Sequence, residues 1–257
     1  MMPPELVPAS DVQAFDRLTS QTIHVWCGDL VRWNPHLHSL RALLSDGERA
    51  RAARFLFDED RTRFTLSHAL LRVILAGYRK VAPEQLRFEA GPYGKPMLRG
   101  AVERLPSLQF SLSHSGAMAL VAVAKERAVG VDVEYHRPGA EQVKLATRFF
   151  ATSEARQIEA ASEADRDRLF YRFWTAKEAY LKGRGVGLAN GLDTCELLFD
   201  EASSSARVRS TESGAFDGDW SVQTLRVGEG IAAAVAVEGQ GWNVELLDAF
   251  KELACSG

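Results

Sequence analysis

The chain has 257 residues, 46% of them hydrophobic and 25% charged, with a formal net charge of −3. That length supports a sizeable core in one large domain or two lobes, and the near-neutral charge gives no bulk attraction to nucleic acid or an anionic membrane, so any anion site must be local. The scattered Cys27, Cys195 and Cys255 have neither metal-ligand spacing nor a disulfide framework, "MMPPELVPAS" lacks signal-peptide character, and no stretch is apolar enough to span a bilayer, so a cytoplasmic protein is expected.

"TIHVWCGDL" (22–30) predicts a strand. "SDGE" (45–48) has the form of a capping box and opens an Arg-rich helix that ends near "RFLF". Residues 58–80 carry a helical apolar period through Phe64, Leu71, Ile74, Leu75 and Tyr78. After Pro83 come a short strand, "QLRFEA", and a turn-rich loop, "GPYGKP" (91–96). "LQFSLSHS" (108–115) and "AMALVAVAK" (117–125) read as paired strands, and "RAVGVDVEY" supplies another at 128–135.

A helical zone follows over roughly residues 152–183, then strands at "CELLFD", "WSVQTLRV" and "GIAAAVAV". "SSSARVRSTESGAFDGD" is expected to be a polar hairpin or loop, and "NVELLDAFKELA" (243–254) a closing helix. The strand–helix–strands order recurs on either side of residue 127, which predicts an internal duplication. The expected fold is α+β, with two pseudo-twofold-related lobes, each a small mainly antiparallel sheet packed with helices. Residues 1–127 form the first lobe and 128–257 the second.

Four short runs could carry chemistry, the loop "GPYGKP" and three others. In "VGVDVEY", Asp132 and Glu134 share one strand face while Val131 and Val133 share the other. Two adjacent carboxylates repel and are costly to desolvate, so either a cation lies between them or they face water. In "FWTAKEAYLKGRG" (173–185), Trp174, Glu178 and Lys182 fall at i, i+4 and i+8 of a helix with Lys177 beside them, although an exposed Glu–Lys pair would look the same. In "FSLSHSG", Ser111, Ser113 and Ser115 share a face and His114 points the other way.

His114 and the neighbouring hydroxyls, with Lys95 of "GPYGKP", could donate to a phosphate. No G-x-S-x-G is present for a serine hydrolase, and "GRGVG" follows a helix, the wrong context for a dinucleotide loop. Together the carboxylates Asp132, Glu134 and Glu178 and the dispersed basic residues suit a Mg²⁺ site facing a polyphosphate.

These runs, in this order and spacing, resemble the 4′-phosphopantetheinyl transferases of the larger, surfactin-synthetase-activating type. The match is carried by "VGVD" ending at Asp132, "WTAKEAYLK" starting at Trp174, "GKP" at 94–96 and "SLSHS" at 111–115. The resemblance implies transfer of the 4′-phosphopantetheine arm of coenzyme A to a serine of an apo carrier protein, releasing adenosine 3′,5′-bisphosphate. It implies Mg²⁺ (or Mn²⁺) held by Asp132, Glu134 and Glu178, with Glu178 or a water it orients as base. Lys182, and secondarily Lys177, would stabilise phosphoryl charge.

By the same resemblance, Lys95, Ser113 and His114 would grip coenzyme A phosphates, and Arg51 and Arg63 match basic positions near its 3′-phosphate. Glu48 departs from the pattern, since some relatives carry a basic residue there. Implied partners are acyl or peptidyl carrier proteins of fatty acid, polyketide or nonribosomal peptide synthesis, with no nucleic acid and no membrane. Lys144, Arg148, Phe149 and Phe150 are offered as a docking surface, the core being the other home for each ring. With both lobes on one chain, a monomer is expected. Two other readings stay open: a Mg²⁺-dependent nucleotide or coenzyme A pyrophosphate hydrolase, and a non-catalytic coenzyme A-binding module.

Overall fold

The computed structural model describes residues 12–91, 93–99, 107–137, 139, 141–186, 191–200 and 204–254. The N-terminal stretch read for a signal peptide, together with Pro92, Gly187, Ser203 and Cys255, lies outside the described residues. The first half runs through β1 (Thr22–Asp29), α1 (Leu30–Trp33), α2 (Leu37–Ala42), α3 (Asp46–Ala52), α4 (Asp58–Arg79), β2 (Phe88–Ala90), β3 (Pro96–Leu98), β4 (Leu108–Ser115) and β5 (Met118–Lys125). The second runs through β6 (Val129–Tyr135), α5 (Gln142–Phe149), α6 (Thr152–Ala160), α7 (Glu163–Arg184), β7 (Cys195–Phe199), β8 (Ser205–Ser210), β9 (Phe216–Leu225) and β10 (Ile231–Glu238). β11 (Asn243–Asp248) and α8 (Ala249–Leu253) follow.

The sheets show the repeat. One has the order β11-β1-β5-β4, the other β6-β10-β9-β8-β7. In both, the leading strand pairs antiparallel with the second strand of the later hairpin, which pairs with the first: β1-β5-β4 matches β6-β10-β9. The long helix of each half, α4 and α7, has 22 residues. The two sheets face each other across a dry core that includes Ile23, Val25, Leu120, Ala122, Val131, Val133, Ala233 and Val235. The outer face of each sheet is covered by its own helices, with Trp26, Phe64, Leu71 and Ile74 in one core and Phe170, Phe173, Ala179 and Val222 in the other. The α+β, two-lobe expectation is therefore met. Among the described residues no helix is long and apolar enough to cross a membrane.

Local signals act as anticipated at α3. Ser45 accepts from the Glu48 amide, and the Glu48 carboxylate accepts in return from the Ser45 amide. The polar run before β9 is a hairpin built on β8. The closing helix expected over 243–254 forms only at Ala249–Leu253. Residues 243–248 are instead an edge strand, parallel to β1 in register Thr22↔Asn243 through Cys27↔Asp248. Asp248 ends it and caps α8, accepting from the amides of Phe250 and Lys251. The pull is tertiary: Leu247, Ala249 and Leu253 complete the core of the first lobe. Chain 243–253 thus lies with the first sheet, not with the second lobe to which the 127/128 division assigns it.

Gly130 sets how closely α7 approaches β6. A Cβ there would lie 1.9 Å from the Ala179 carbonyl oxygen and 2.3 Å from the Gly183 amide nitrogen. Both obstacles are backbone, so neither can yield without moving the helix. Gly130→Ala should therefore push α7 off the sheet, with a loss of about 1–3 kcal/mol or more in a urea titration. A variant with unchanged stability would mean that the helix has room to spare.

Candidate active site

The "VGVD" strand, the "SLSHS" strand and the "WTAKEAYLK" helix meet where the two sheets adjoin. β6 edges the second sheet and β4 edges the first. No backbone ladder joins them; the three serines of β4 bridge the gap. Ser111 Oγ accepts from the Val131 amide at 3.1 Å, Ser113 Oγ donates to Asp132 Oδ1 at 2.7 Å, and Ser115 Oγ donates to Glu134 Oε2 at 2.6 Å. The period of two predicted for both strands is what lets alternate hydroxyls reach alternate positions of β6.

α7 supplies the other wall. Lys182 Nζ lies 2.6 Å from Asp132 Oδ1 and 3.0 Å from Ser113 Oγ. Asp132 is only 3% exposed and Glu178 7%. Each keeps one buried oxygen without a partner, Asp132 Oδ2 and Glu178 Oε1. Burial is the main cause that lifts Glu178 from 4.5 to about 7, and the charge on Asp132 adds to it against the pull of Lys182. Glu134 is raised by burial as well, Ser115 opposing. Lys182 is thus the cation that answers the repulsion between the strand's carboxylates, and it answers it only in part.

No three His, Cys, Asp or Glu side chains among the described residues are drawn together as a ready metal cage. The donor chemistry nonetheless fits Mg²⁺, which takes oxygen ligands, keeps waters and shares its shell with substrate phosphates. Two orphaned carboxylate oxygens beside a third carboxylate offer such a partial shell.

Next to these groups opens a cleft of about 390 Å³, walled by Arg51, His68, Tyr93, Lys95, His114 and Lys182 among others. His114 is held down to about 4, by burial first and then by Arg63 and Lys182, and its Nδ1 is buried without a partner. Arg51 sits over the Phe64 ring at 5.2 Å. Arg63 is paired with Asp60 and is not in the cleft wall, although its charge reaches His114.

Lys95 lines the cleft, but its Nζ donates to the carbonyls of Val129 (3.0 Å) and Gly183 (3.2 Å). It thereby ties the "GKP" loop to the start of β6 and the end of α7, and burial lowers it to about 8. Glu48 does not line the cleft and forms an ion pair with the buried Arg72 at 2.7 Å. That pairing is the physical reason for an acid at this position.

Lys177 is not brought to the site. One residue before Glu178, it is turned about 100° round the helix and is fully buried. Its ammonium contacts Glu154 at 2.8 Å, the Leu192 carbonyl at 2.8 Å and the Cys195 carbonyl. Where a catalytic role was expected for it, its contacts instead fasten α6 and β7 to α7. Ser115, read only as a face-mate of Ser113, reaches Glu134, and His68 and Tyr93 line the cleft without having been singled out. Only the spacing of Phe64 and His68, one helical turn apart on α4, hinted at the histidine.

Comparison with known proteins falls on the same ground. The profile of the 4′-phosphopantetheinyl transferase superfamily matches residues 128–236, and that of the 4′-phosphopantetheinyl transferase N-terminal region matches 31–126. The chain is 38% identical over 225 residues to the 4′-phosphopantetheinyl transferase HetI of Nostoc sp., covering 88% of this chain and 91% of that relative. It is 30% identical over 235 residues to a phosphopantetheinyl transferase of Thraustochytrium sp., covering 84% and 78%. With the 4′-phosphopantetheinyl transferase Sfp of Bacillus subtilis it shares 29% over 153 residues, covering 60% and 65%.

Proposed function

The chain belongs to the 4′-phosphopantetheinyl transferase family, enzymes that move the phosphopantetheine arm of coenzyme A onto carrier proteins, and we propose that Asp132, Glu134, Glu178 and Lys182 carry out the transfer here. The observation that supports this reading most is the contact at 2.6 Å between half-buried Lys182 and buried Asp132, beside two unpartnered carboxylate oxygens. Asp132, Glu134 and Glu178 would hold Mg²⁺ or Mn²⁺, which supplies positive charge against the pyrophosphate. Arg51 and His114 bind the phosphate end of coenzyme A in the cleft, with Arg63 reinforcing the positive potential there. Ser113 and Lys95 set the walls, and Lys182 faces the leaving phosphate.

The carrier's serine Oγ forms the new P–O bond as the bond to the bridging oxygen breaks. Adenosine 3′,5′-bisphosphate departs, and the serine proton passes to Glu178 or to a water it orients. The lobes 1–127 and 128–242 work as a unit within one cytoplasmic, monomeric chain, with β11 and α8 lent back to the first lobe. The carriers are those of fatty acid, polyketide or nonribosomal peptide synthesis.

For docking, Phe150 is only 5% exposed and belongs to the core, while Phe149 is half-buried. The accessible face of α5 is instead formed by Lys144, Leu145 and Arg148. It suits an acidic helix with an apolar contact.

Incubation with coenzyme A, Mg²⁺ and a panel of apo acyl and peptidyl carriers should add the mass of one phosphopantetheine to at least one of them. If every carrier stays unmodified while coenzyme A is split, the hydrolase alternative replaces this reading. The raised Glu178 gives a second check. Below about 7 this carboxyl holds a proton that a bound cation must expel. Mg²⁺ affinity, measured calorimetrically, should therefore climb as pH rises to about 7 and flatten above it. A flat profile would remove Glu178 from the ligand set.

A further inference from the structure

α4 brings into the cleft a titratable ring that none of the motifs accounts for. His68 lines the cleft with Arg51, Lys95, His114 and Lys182. Its imidazole is stacked on Phe64, ring centroids 3.8 Å apart and planes 26° apart. Nδ1 lies 3.1 Å from the Phe64 carbonyl, which can only accept, so the ring proton of neutral His68 sits on Nδ1. Nε2 then carries the lone pair and makes no hydrogen bond among the described residues. Stacking and the Nδ1 bond together hold the ring in one orientation.

Three charged or titratable groups act on this ring from the neighbouring elements: Glu48 and Arg51 of α3, and His114 of β4. Glu48 is already neutralised by Arg72. The charge left to act on His68 is therefore the positive one of Arg51.

We propose that His68 is a further coenzyme A-binding residue, whose Nε2 meets the same phosphate as Arg51 and His114. The proposal rests on the reading that coenzyme A's 3′-phosphate end occupies this cleft. It adds a proton to the binding step. In the free protein His68 is held down to about 4, by burial first, with His114 and Arg51 adding to burial and Glu48 opposing it. His114 lies at about 4 too. Both rings are therefore neutral near pH 7 and make weak partners for a dianion. A phosphate supplies the counter-charge that raises them, so binding takes protons from solvent, and affinity rises as pH falls from neutrality.

Calorimetric titration of the full chain with coenzyme A and with 3′-dephospho-coenzyme A, in two buffers of different ionisation heat, reads the proton count directly. The wild type should take up protons with coenzyme A and fewer with the dephospho form. His68→Gln removes the basic nitrogen, and His68→Phe removes it while keeping a ring to stack on Phe64. Both should lower the uptake and raise KM for coenzyme A about tenfold or more, with the loss in KM rather than kcat and none of it seen with the dephospho form. A His68→Phe enzyme with wild-type uptake and wild-type KM would overturn the proposal. If His114→Ala also leaves coenzyme A binding unchanged, and both ligands bind alike, then the cleft is not the phosphate site and the underlying reading falls with it.

Discussion

Glu178→Gln should reduce phosphopantetheine transfer by roughly 10³-fold while leaving the protein folded. Glutamine keeps the shape of the side chain but offers neither the negative charge for a cation nor the basicity for the serine proton. Its effect on stability has the opposite sign. The Glu178 carboxyl of the folded, cation-free protein lies at about 7, above the 4.5 it has when unfolded. A group raised in this way contributes stability in full below its unfolded value and loses it as pH rises through its folded value. The glutamine variant does not titrate, so above neutrality it should resist urea better than the wild type, by on the order of 2 kcal/mol. Asp132→Asn should show a similar loss of activity. A Glu178→Gln enzyme that transfers at near-normal rate would refute the assignment, whatever its stability. A variant that loses both activity and stability would mean that Glu178 holds the fold instead.

Lys177→Met should unfold the protein more readily than any site substitution, by about 3–5 kcal/mol. Methionine fills much of the same volume but leaves the fully buried Glu154 without its cation. Glu154 has other duties: its carboxylate accepts from the amides of Leu197 and Ala151. Burial already raises Glu154 against the pull of Lys177, and removal of the lysine should raise it further. The deficit should therefore be largest above neutrality and shrink on acidification, as that carboxyl takes up a proton. Adding Glu154→Gln should recover part of the loss, since an amide carries no charge but still accepts one hydrogen bond. The catalytic alternative predicts the reverse: a stable Lys177→Met protein with impaired transfer.

The contrast between Lys177 and Lys182 shows what the sequence could and could not reveal. Both lysines stand in the same motif, and the spacing of Glu178 and Lys182, one turn apart, was legible. Which face of the helix meets β6 depends on Gly130, whose missing side chain admits the α7 backbone, and on Gly183, whose missing side chain leaves room for the Trp220 ring. That is a tertiary fact with no local periodicity to announce it. The shared face of Asp132 and Glu134 was readable because strand alternation is geometric. Their partners, Ser113 and Ser115, were readable as a shared face with a phosphate as the suggested target, not as donors to these carboxylates.

The error over 243–248 has a related cause. "NVELLDAFKELA" carries a helical apolar spacing, but pairing with β1 outweighs local preference, as it commonly does for short segments. Glu48 makes the same point at the scale of one residue: its acidity looks anomalous beside the family pattern until buried Arg72 is seen behind it.

The return of β11 to β1 has a consequence for how the protein comes into being. Thr22 pairs with Asn243 and Cys27 with Asp248, so the first sheet lacks its fourth strand until residue 248 has been synthesised, more than 200 residues after β1. The amino-terminal half cannot mature on the ribosome ahead of the rest, as separate domains commonly do. Such distant pairing slows assembly, and a nascent chain stalled before β11 would expose one flank of β1 to any passing strand. Premature termination should therefore yield aggregates rather than a smaller, inactive enzyme.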